Sequence, residues 1–312
     1  MQELSAPDDW PSVTVVVPSR DRPDLLARAV RSVLSQDYPG PVECIVVLDG
    51  EDVPTPPIPG SHPGPRTVRT MRNPRPTGPA AARNAGAEAA KGDLLAFLDD
   101  DDEWLPMKLT SQVSALRRWP HVPVVTTGIM IVYERRSVPR IPTDGMATLR
   151  DLLRSRRSDM HTSTILVSRD HYVGTIGPMD EKIPGARAEE YDWLLRAARQ
   201  GPLRTIPTPL VNVFWNPSSW FTHNWETLPA ALTYLLERHP EFESERRGLA
   251  RIYGQIAFAH AASRATSESM KWVTRTLGLN WTQPRAYLAL LVNLGIPARR
   301  VVQALNRFGR SI

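Results

Sequence analysis

The stretch LLAFLDDDD, from Leu94 to Asp102, places four consecutive aspartates directly behind a run of apolar residues. A short apolar run is typical of a strand buried in a sheet, and this strand would carry a cluster of negative charge at its carboxyl end. Ligands of open α/β sheets bind at that edge. Because packed carboxylates repel each other unless a cation neutralises them, the cluster indicates a divalent metal site. The alternative is a solvated acidic turn ahead of a helix, where Asp is also favoured.

Strands and helices alternate in the chain leading to this stretch. Apolar runs and helical spacings of apolar residues predict, in order, a strand at 13–17, a helix at 23–36, strands at 43–48 and 66–71, a helix at 79–91 and the strand at 94–98. This order predicts an α/β fold with a mostly parallel, Rossmann-like sheet flanked by helices.

The rest of the chain continues the α/β pattern and then becomes helical. The same criteria predict a helix at 104–119, strands at 122–133 and 162–167, a helix at 188–200 and strand structure at 203–214. From about Trp225 onward no strand pattern occurs. We therefore expect an α/β domain over residues 1–222 and a helical C-terminal region over residues 223–312, which is basic at its end.

The composition, with 41% hydrophobic and 23% charged residues, is typical of a soluble globular protein. We expect a cytoplasmic location, because the N-terminus lacks a signal-peptide pattern and no run of about 18 apolar residues occurs that would span a bilayer. The single cysteine, Cys44, excludes an intramolecular disulfide and fits a reducing compartment. It lies in an apolar run, which predicts a buried strand residue rather than a nucleophile.

Positive charge is concentrated at the C-terminus. The chain carries +5 in total, but residues 271–312 contain seven basic residues and no acidic one, so the other 270 residues carry −2. This distribution argues against a nucleic-acid groove across the main domain. The C-terminal apolar run around Tyr287, followed by basic residues, is a segment that can lie on an anionic membrane surface as a peripheral contact. The alternative is a helix packed into the core with a solvated basic tail.

Five blocks of the sequence together resemble family 2 glycosyltransferases, which have the GT-A fold. Each block is weakly specific by itself, but the five occur in the family's order across roughly residues 13–215. They are VTVVVPSRDRPDLL (13–26), IVVLDG (45–50), GPAAARNAG (78–86), LLAFLDDDD (94–102) and AEEYDWLLR (188–196). The resemblance implies an enzyme that transfers a sugar from a nucleotide-sugar donor to an acceptor, with inversion at the anomeric carbon.

The resemblance assigns metal and donor roles to the aspartates. The family's DxD motif implies Mn²⁺ or Mg²⁺, which acts as a Lewis acid for the leaving diphosphate. Asp101 matches the last aspartate of the motif and is expected to bind the metal directly. Asp99 matches the first and is expected to contact the donor ribose or the metal, and Asp100 occupies the variable position of this donor-binding segment. We predict that Asp102 is the N-cap of the following helix.

The base that takes the acceptor's proton is expected near the start of the helix at 188–200. Glu190 matches the family's catalytic carboxylate, although Asp is commoner at that position, and Glu189 is the second candidate. The alternative is that both acids, together with Asp192, only favour the N-terminal end of a helix.

The remaining donor contacts are expected at the ends of the first strands. The resemblance implies that a turn packs around the nucleobase and ribose, and its residues are Pro18, Ser19, Arg20 and Asp21. Asp49 matches the carboxylate that reads the nucleoside. Leu48 stands where the family usually has a second acid, so UDP-, dTDP- and GDP-sugars all remain open as donors. Arg83 matches a residue that faces the donor, the alternative being a solvated helix arginine.

The acceptor side carries fewer signals. His161 is expected to touch the acceptor or to pack at a strand edge, and Trp215 to stack on a sugar or to join the core. His223 is a candidate third metal ligand. Glycan, lipid-linked and small-molecule acceptors all remain open. Two other functions are alternatives: a sugar nucleotidyltransferase, which would need a glycine-rich loop after the first strand, and a non-catalytic carbohydrate- or metal-binding module.

Overall fold

The computed structural model describes residues 10–49, 65–75, 78–133, 136–142, 145–157, 159–215 and 225–307. The strands of this part of the chain are β1 (Val13–Ser19), β2 (Val42–Leu48), β3 (Arg66–Arg72), β4 (Leu94–Phe97), β5 (Glu103–Trp104), β6 (Val124–Tyr133), β7 (Arg136–Arg140), β8 (Met146–Ala147), β9 (Leu166–Ser168) and β10 (Leu203–Phe214). Its α-helices are α1 (Pro23–Leu34), α2 (Pro79–Ala89), α3 (Lys108–Arg118), α4 (Leu149–Arg154), α5 (Glu189–Gln200), α6 (Leu228–Arg238), α7 (Arg246–Ala262), α8 (Thr266–Leu279), α9 (Pro284–Asn293) and α10 (Ala298–Arg307).

The strands form one mixed sheet with the order β3-β2-β1-β4-β9-β6-β10-β5, with β7 beside β6 and β8 beside β10. β3, β2, β1 and β4 run parallel, and β6 pairs in parallel with β10. β9 lies antiparallel between β4 and β6. The predicted α/β class with a mostly parallel sheet is therefore confirmed.

Alternate residues of the central strand β1 pack against helices on opposite faces of the sheet. Val15 and Val17 join a buried cluster with α1 and α3, whereas Val16 joins a second cluster with the alanines of α2 and with Trp193 of α5. This alternation follows from the two-residue period of a strand. Because both faces are covered, the strand consists of nearly continuous β-branched residues, as expected for a buried parallel strand.

A glycine lets helix α2 approach the sheet closely. A Cβ atom at Gly86 would lie 2.3 Å from Cγ1 of Val16 and 3.0 Å from Cγ2 of Val47, closer than side chains can pack. The helix starts at Pro79 after Gly78, whose φ is +112°. This close packing carries Arg83, in the second turn of the helix, to the end of β4.

The predicted helix at 104–119 is wrong at its start. Glu103 and Trp104 form β5, which pairs with β10, and the helix begins only at Lys108. The amide of Leu105 donates to the carbonyl of Leu210, so the backbone groups here belong to the sheet rather than to a helix. The predicted strand at 162–167 is also shorter, because residues 162–164 form a 3-10 turn ahead of β9.

The C-terminal helices share the core of the α/β part at one end and form a smaller core at the other. Leu232 of α6 and Ile256 of α7 belong to the same buried cluster as Trp193, while Phe258 of α7 packs with α8, α9 and α10. Residues 225–307 contain no strand, as predicted. None of the described helices combines the length and the apolar character that a membrane span needs. The predicted boundary at 222/223 lies outside the described residues.

Candidate active site

The carboxyl ends of β1, β2 and β4 bring the predicted donor-binding residues to one edge of the sheet. β1 ends at Ser19, Asp49 follows β2, and the acidic turn, which comprises Asp99 to Asp102, follows β4. The hydroxyl of Ser19 donates to Oδ2 of Asp100 at 2.7 Å. The amide of Asp49 donates to the carbonyl of Ser19 at 2.9 Å. Parallel register therefore joins three segments that are distant in sequence.

Arg83 connects the acidic turn to helix α5. Its Nη2 donates to Oδ1 of Asp99 at 2.6 Å, and its Nη1 donates to Oε1 of Glu189 at 3.3 Å. The side chain of Arg83 is buried, so it is not the solvated helix arginine of the alternative interpretation. Burial opposes the ionisation of Asp99, but the positive charge and hydrogen bond of Arg83 outweigh burial and hold the pKa of Asp99 below its usual range.

Asp100 and Asp101 have different surroundings. Burial, together with the charges of the neighbouring aspartates, raises the pKa of Asp100 to about 6 against the opposing hydrogen bond from Ser19. The carboxylate of Asp101 is partly exposed and accepts a hydrogen bond from Nη1 of Arg22 at 2.9 Å. Arg28 donates to the backbone carbonyl of Asp101 at 2.6 Å. Sequence analysis did not single out these two arginines, although Arg22 lies within the first motif block.

Asp102 does not cap a helix, which corrects the prediction. Its carboxylate is buried, and Oδ2 accepts a hydrogen bond from the hydroxyl of Ser163 at 2.6 Å. The same hydroxyl accepts a hydrogen bond from the amide of Asp99 at 3.1 Å, and Nδ1 of His161 lies 3.4 Å from Oδ2 of Asp102. A cap bonds to amides two or three residues further on, whereas the next helix begins at Lys108.

Asp99, Asp102 and His161 form a group that fits a divalent cation. Each offers one ligand atom, and these atoms lie within 4.8 Å of one another. Burial and the nearby carboxylates raise the pKa of Asp102 well above its usual range, because buried like charges repel. Burial lowers the pKa of His161, which favours the neutral imidazole that binds metals. Two carboxylates and an imidazole are suitable ligands for a divalent metal.

The two candidate bases face different partners. Glu189 is buried against Arg83, and burial raises the pKa of Glu189 although the charge of Arg83 opposes the shift. Oε1 of Glu190 pairs with Nη2 of Arg156, whose side chain is partly exposed. Sequence analysis did not single out Arg156, because it lies in a segment without a family motif. The structure thus places Glu189 beside the acidic turn and Glu190 beside a cation near the surface.

A strained residue and a buried network support the start of α5. Ala188, directly before the helix, has φ of +67°, a left-handed conformation that is costly for a residue with a side chain. Such conformations persist where the surrounding structure stabilises them, which is common at functional sites. Within α5, Asp192 accepts hydrogen bonds from Nε2 of His239 and Nε of Arg196, each at 2.9 Å. The bond from His239, which directly follows α6, anchors α5 to the end of that helix.

Asp49 is oriented by a residue outside the motif blocks. Nδ2 of Asn73, which follows β3, donates to Oδ1 of Asp49 at 2.8 Å, and both side chains are buried. Arg20 and Asp21 lie on the exposed turn after β1, where φ of Asp21 is +55°. Pro18 is buried within β1. The turn therefore presents polar side chains at the sheet edge where Asp49 follows β2.

Of the two remaining predicted residues, Trp215 lies within the described part of the chain, at the end of the α/β part. Trp215 is half-buried after β10, and its ring packs against the cluster that contains α1 and α3. Its amide donates to the carbonyl of Val132 at 2.9 Å. His223 lies outside the described residues.

Comparison with protein families gives a match that covers about half of the chain. Residues 14–172 match the model of "Glycosyl transferase family 2". This chain belongs to glycosyl transferase family 2. The match contains the acidic turn, Arg83 and His161 but ends before α5, so it includes neither candidate base.

Curated relatives of this family 2 chain are bacterial. "Succinoglycan biosynthesis protein ExoO" of Rhizobium meliloti is 40% identical over 106 residues, which are 34% of this chain and 30% of ExoO. The "UDP-Glc:alpha-D-GlcNAc-diphosphoundecaprenol beta-1,3-glucosyltransferase WfaP" of Escherichia coli is 32% identical over 101 residues, which are 32% of this chain and 39% of WfaP. The matched segment thus spans less than half the length of either relative.

Solved structures resemble the family 2 chain over nearly its whole length. The crystal structure of residues 1–349 of S. aureus TarS in complex with UDP-GlcNAc gives a TM-score of 0.61 at 15% identity, covering 96% of this chain and 92% of that one. The complex of the same TarS segment with UDP gives a TM-score of 0.56 at 18% identity and covers the same shares of the two chains. At these identities the likeness concerns the fold. Together with the family match it confirms the predicted family, the GT-A fold and the class of enzyme, a transferase.

Proposed function

We propose that this protein is a metal-dependent, inverting glycosyltransferase that moves a sugar from a nucleoside-diphosphate sugar to an acceptor hydroxyl in glycan biosynthesis. The observation that carries the proposal is the position of Arg83, which joins Asp99 of the acidic turn to Glu189 of α5. The residues assigned to the donor diphosphate therefore lie next to those assigned to the acceptor. A direct displacement needs this arrangement, because nucleophile and leaving group act on opposite sides of one carbon.

The donor is proposed to lie across the ends of β1, β2 and β4. Asp49, oriented by Asn73 at 2.8 Å, would read the nucleobase, and Ser19 and Asp99 would contact the ribose. The exposed turn after β1 would close over the nucleoside. A uridine nucleotide is favoured because the TarS complexes contain UDP-GlcNAc and UDP, and WfaP is named for UDP-Glc.

A divalent cation, Mn²⁺ or Mg²⁺, is proposed at the acidic turn. Asp101 keeps the ligand role that its motif position predicts, because its carboxylate is accessible to a donor, and Asp99 is the second ligand. The close approach of Asp102 and His161 to Asp99 supports them as further ligands. When bound, the cation would stabilise the negative charge that develops on the leaving diphosphate. Arg22 adds positive charge beside Asp101.

Glu190 is proposed as the base. Its carboxylate takes the proton of the acceptor hydroxyl as the hydroxyl oxygen forms a bond to the anomeric carbon. The bond from that carbon to the diphosphate oxygen breaks, and its electron pair leaves with the nucleoside diphosphate, so the carbon is inverted. Glu190 is paired with Arg156, which would hold the carboxylate in position. Glu189, buried against Arg83, is the second candidate and otherwise a positioning residue.

The acceptor is proposed to be a glycan carried on a lipid diphosphate. The names of ExoO and WfaP, which refer to succinoglycan and to a diphosphoundecaprenol acceptor, support this class. Trp215 is the proposed acceptor contact, because His161, which the sequence also assigned to the acceptor, lies with the proposed metal ligands Asp99 and Asp102. The proposed place of action is the cytoplasmic face of a membrane, since the only cysteine, Cys44, is free and buried and the C-terminal segment is basic.

Thermal-shift measurements with a panel of nucleotide sugars, with and without Mn²⁺, test the donor and metal proposals. A donor that binds the native state raises the melting temperature. We expect UDP-sugars to do so, Mn²⁺ to enlarge the shift, and donor hydrolysis to accompany it. Asp101→Ala should remove the Mn²⁺-dependent part of the thermal shift. Asp37→Ala, which alters an exposed aspartate that has no proposed donor or metal role, should not.

Two outcomes would contradict the proposal. If no sugar nucleotide is hydrolysed and Asp101→Ala leaves nucleotide binding unchanged, the protein is a binding module rather than a transferase. If the protein instead forms a sugar nucleotide from a sugar phosphate and a nucleoside triphosphate, it is a nucleotidyltransferase.

A further inference from the structure

One face of helix α9 exposes large apolar residues to solvent, while small residues lie on the face that packs into the protein. Ala286 and Ala289 are 0% exposed and face the neighbouring helices α7 and α8. Tyr287, Leu291 and Leu294, which are spaced by four and three residues and therefore share one face, are 45%, 41% and 82% exposed. A helix at the surface of a globular protein normally has the opposite arrangement. The exposed face of α9 thus lacks an apolar partner among the described residues.

Neighbouring residues extend this face into a continuous apolar ridge. Trp281, 74% exposed, lies at its start, and its carbonyl accepts a hydrogen bond from the hydroxyl of Tyr287 at 2.6 Å. At the other end, the amide of Ile296 donates to the carbonyl of Leu291 at 3.1 Å. Met270 of α8 adjoins the ridge, because its sulfur lies 3.6 Å from Nδ2 of Asn293 in α9. The apolar ridge comprises Met270, Trp281, Tyr287, Leu291, Leu294 and Ile296.

The ridge gathers most of the exposed large apolar residues of the described chain. Of the nine such residues, six belong to the ridge, and the other three, Met107, Ile141 and Val173, lie on separate elements of the α/β part. Single exposed apolar residues are normal, whereas a contiguous set marks a surface that contacts something.

The chain segment that carries most of the ridge is basic. No acidic residue follows Glu268 in the sequence, and four basic residues after it are exposed: Lys271, Arg275, Arg299 and Arg300. Glu268 itself is paired with Lys271 at 2.6 Å. A second copy of the chain would bring the same positive charges together across a two-fold contact, which is unfavourable. An anionic surface would neutralise them.

We propose that the apolar ridge docks this protein onto an anionic lipid bilayer. Trp281 and Tyr287 combine an apolar ring with a polar group, which suits the boundary between headgroups and acyl chains. The leucines and Ile296 enter the boundary, and the surrounding arginines face the lipid phosphates. This inference rests on the proposed lipid-linked acceptor and names the surface that brings the enzyme to it.

Helix α7, on which α9 packs, also contacts the helix that carries the candidate base. α9 packs on α7, and Nη2 of Arg251 in α7 donates to the hydroxyl of Tyr191 at 2.7 Å. Tyr191 lies in α5 directly after Glu190. One helix layer therefore separates the docking surface from the helix that carries the base. Docking through the ridge would hold this end of the site near the bilayer.

Co-sedimentation of the full chain with lipid vesicles tests the proposal. Vesicles of phosphatidylcholine mixed with about one third phosphatidylglycerol are compared with vesicles of phosphatidylcholine alone. We expect binding to the anionic vesicles only, and at least a tenfold loss of binding in the double variant Leu291→Gln/Leu294→Gln and in Arg299→Gln/Arg300→Gln. Ile141→Gln, which alters an exposed apolar residue outside the ridge, is the matched control and should bind like the wild type.

Several results would overturn the proposal. They are the absence of wild-type binding, unchanged binding of both double variants, and equal loss in the Ile141→Gln control. Sedimentation velocity showing a dimer that the Leu291→Gln/Leu294→Gln variant abolishes would instead assign the ridge to a second copy. The variants are also checked for a donor-induced thermal shift. If a donor raises the melting temperature but the protein does not bind vesicles, the docking proposal fails and the transferase proposal stands. If the protein binds vesicles but no donor raises its melting temperature, the docking proposal stands and the transferase proposal fails.

Discussion

Arg83 donates a 2.6 Å hydrogen bond to Asp99 while its other terminal nitrogen reaches Glu189, which is 106 residues further along the chain. The guanidinium is buried between two acids. A buried cation of this kind neutralises the carboxylates and fixes the distance between the acidic turn and α5.

Arg83→Met should destabilise the protein by about 3 kcal/mol, because it leaves two buried carboxylates without their shared cation. Urea unfolding at pH 7 measures the loss. Arg31→Met, which removes an exposed arginine from α1, should cost less than about 0.5 kcal/mol. Equal effects of the two substitutions would show that the pairing of Arg83 with Asp99 and Glu189 does not stabilise the fold.

Glu190→Gln should lower the rate of sugar transfer by about 10²- to 10⁴-fold and leave donor affinity unchanged, because it removes only the proton acceptor. Transfer is measured by single-turnover kinetics and donor affinity by calorimetry. Glu189→Gln should weaken both properties through its contact with Arg83. Full transfer by Glu190→Gln, with loss in Glu189→Gln, would move the base to Glu189.

Asp101→Asn and Asp102→Asn test two of the proposed metal ligands separately. We expect Asp101→Asn to weaken Mn²⁺ binding in the presence of UDP at least tenfold, because the exposed carboxylate of Asp101 is the proposed direct ligand. If Asp102 also binds the cation, Asp102→Asn should weaken binding by a similar factor. Calorimetric titration with Mn²⁺ measures both. Unchanged Mn²⁺ affinity in both variants would remove the metal from the acidic turn.

Gly86→Ala should destabilise the protein by about 1–3 kcal/mol, because the new methyl group would lie 2.3 Å from Val16 and push α2 off the sheet. The matched control is Gly278→Ala in helix α8, where an added Cβ meets nothing within 4 Å. That substitution should stabilise the protein by up to about 1 kcal/mol, since alanine favours a helix. Thermal unfolding of both variants measures the difference. Tolerance of Gly86→Ala without loss would show that α2 does not depend on this close approach.

The bonds to Asp192 should make the protein sensitive to acid. Burial alone would raise the pKa of Asp192, but the hydrogen bonds and charges of His239 and Arg196 lower it below its usual range. A carboxyl with a lowered pKa in the folded state stabilises the fold above its unfolded pKa of about 3.9, and this stability is lost as pH falls through the folded value.

The free energy of unfolding should therefore fall between about pH 5 and pH 2, and Asp192→Asn should flatten this slope. Urea unfolding across this range measures it, with Asp37→Asn as the control that keeps the wild-type slope. An identical slope in wild type and Asp192→Asn would show that these bonds do not lower the pKa of Asp192.

The sequence predicted the elements and their order where one local pattern dominated. The β-branched run of β1 and the alanine-rich pattern of α2 correspond closely to the observed elements. It failed at Trp104, where helical periodicity is present locally but the backbone pairs with β10. That pairing joins residues about a hundred positions apart, and a local pattern carries no information about it.

By itself, the sequence determined that an apolar strand ends in four aspartates and that a family 2 motif set surrounds them, because both are properties of consecutive residues. Only the tertiary structure decided which partner each of the four carboxylates meets. Asp99 meets Arg83, Asp101 meets Arg22, and Asp102 turns inward to Ser163 instead of capping a helix. The physical reason is that charge and burial depend on what lies within a few ångströms, and those neighbours come from other strands and helices.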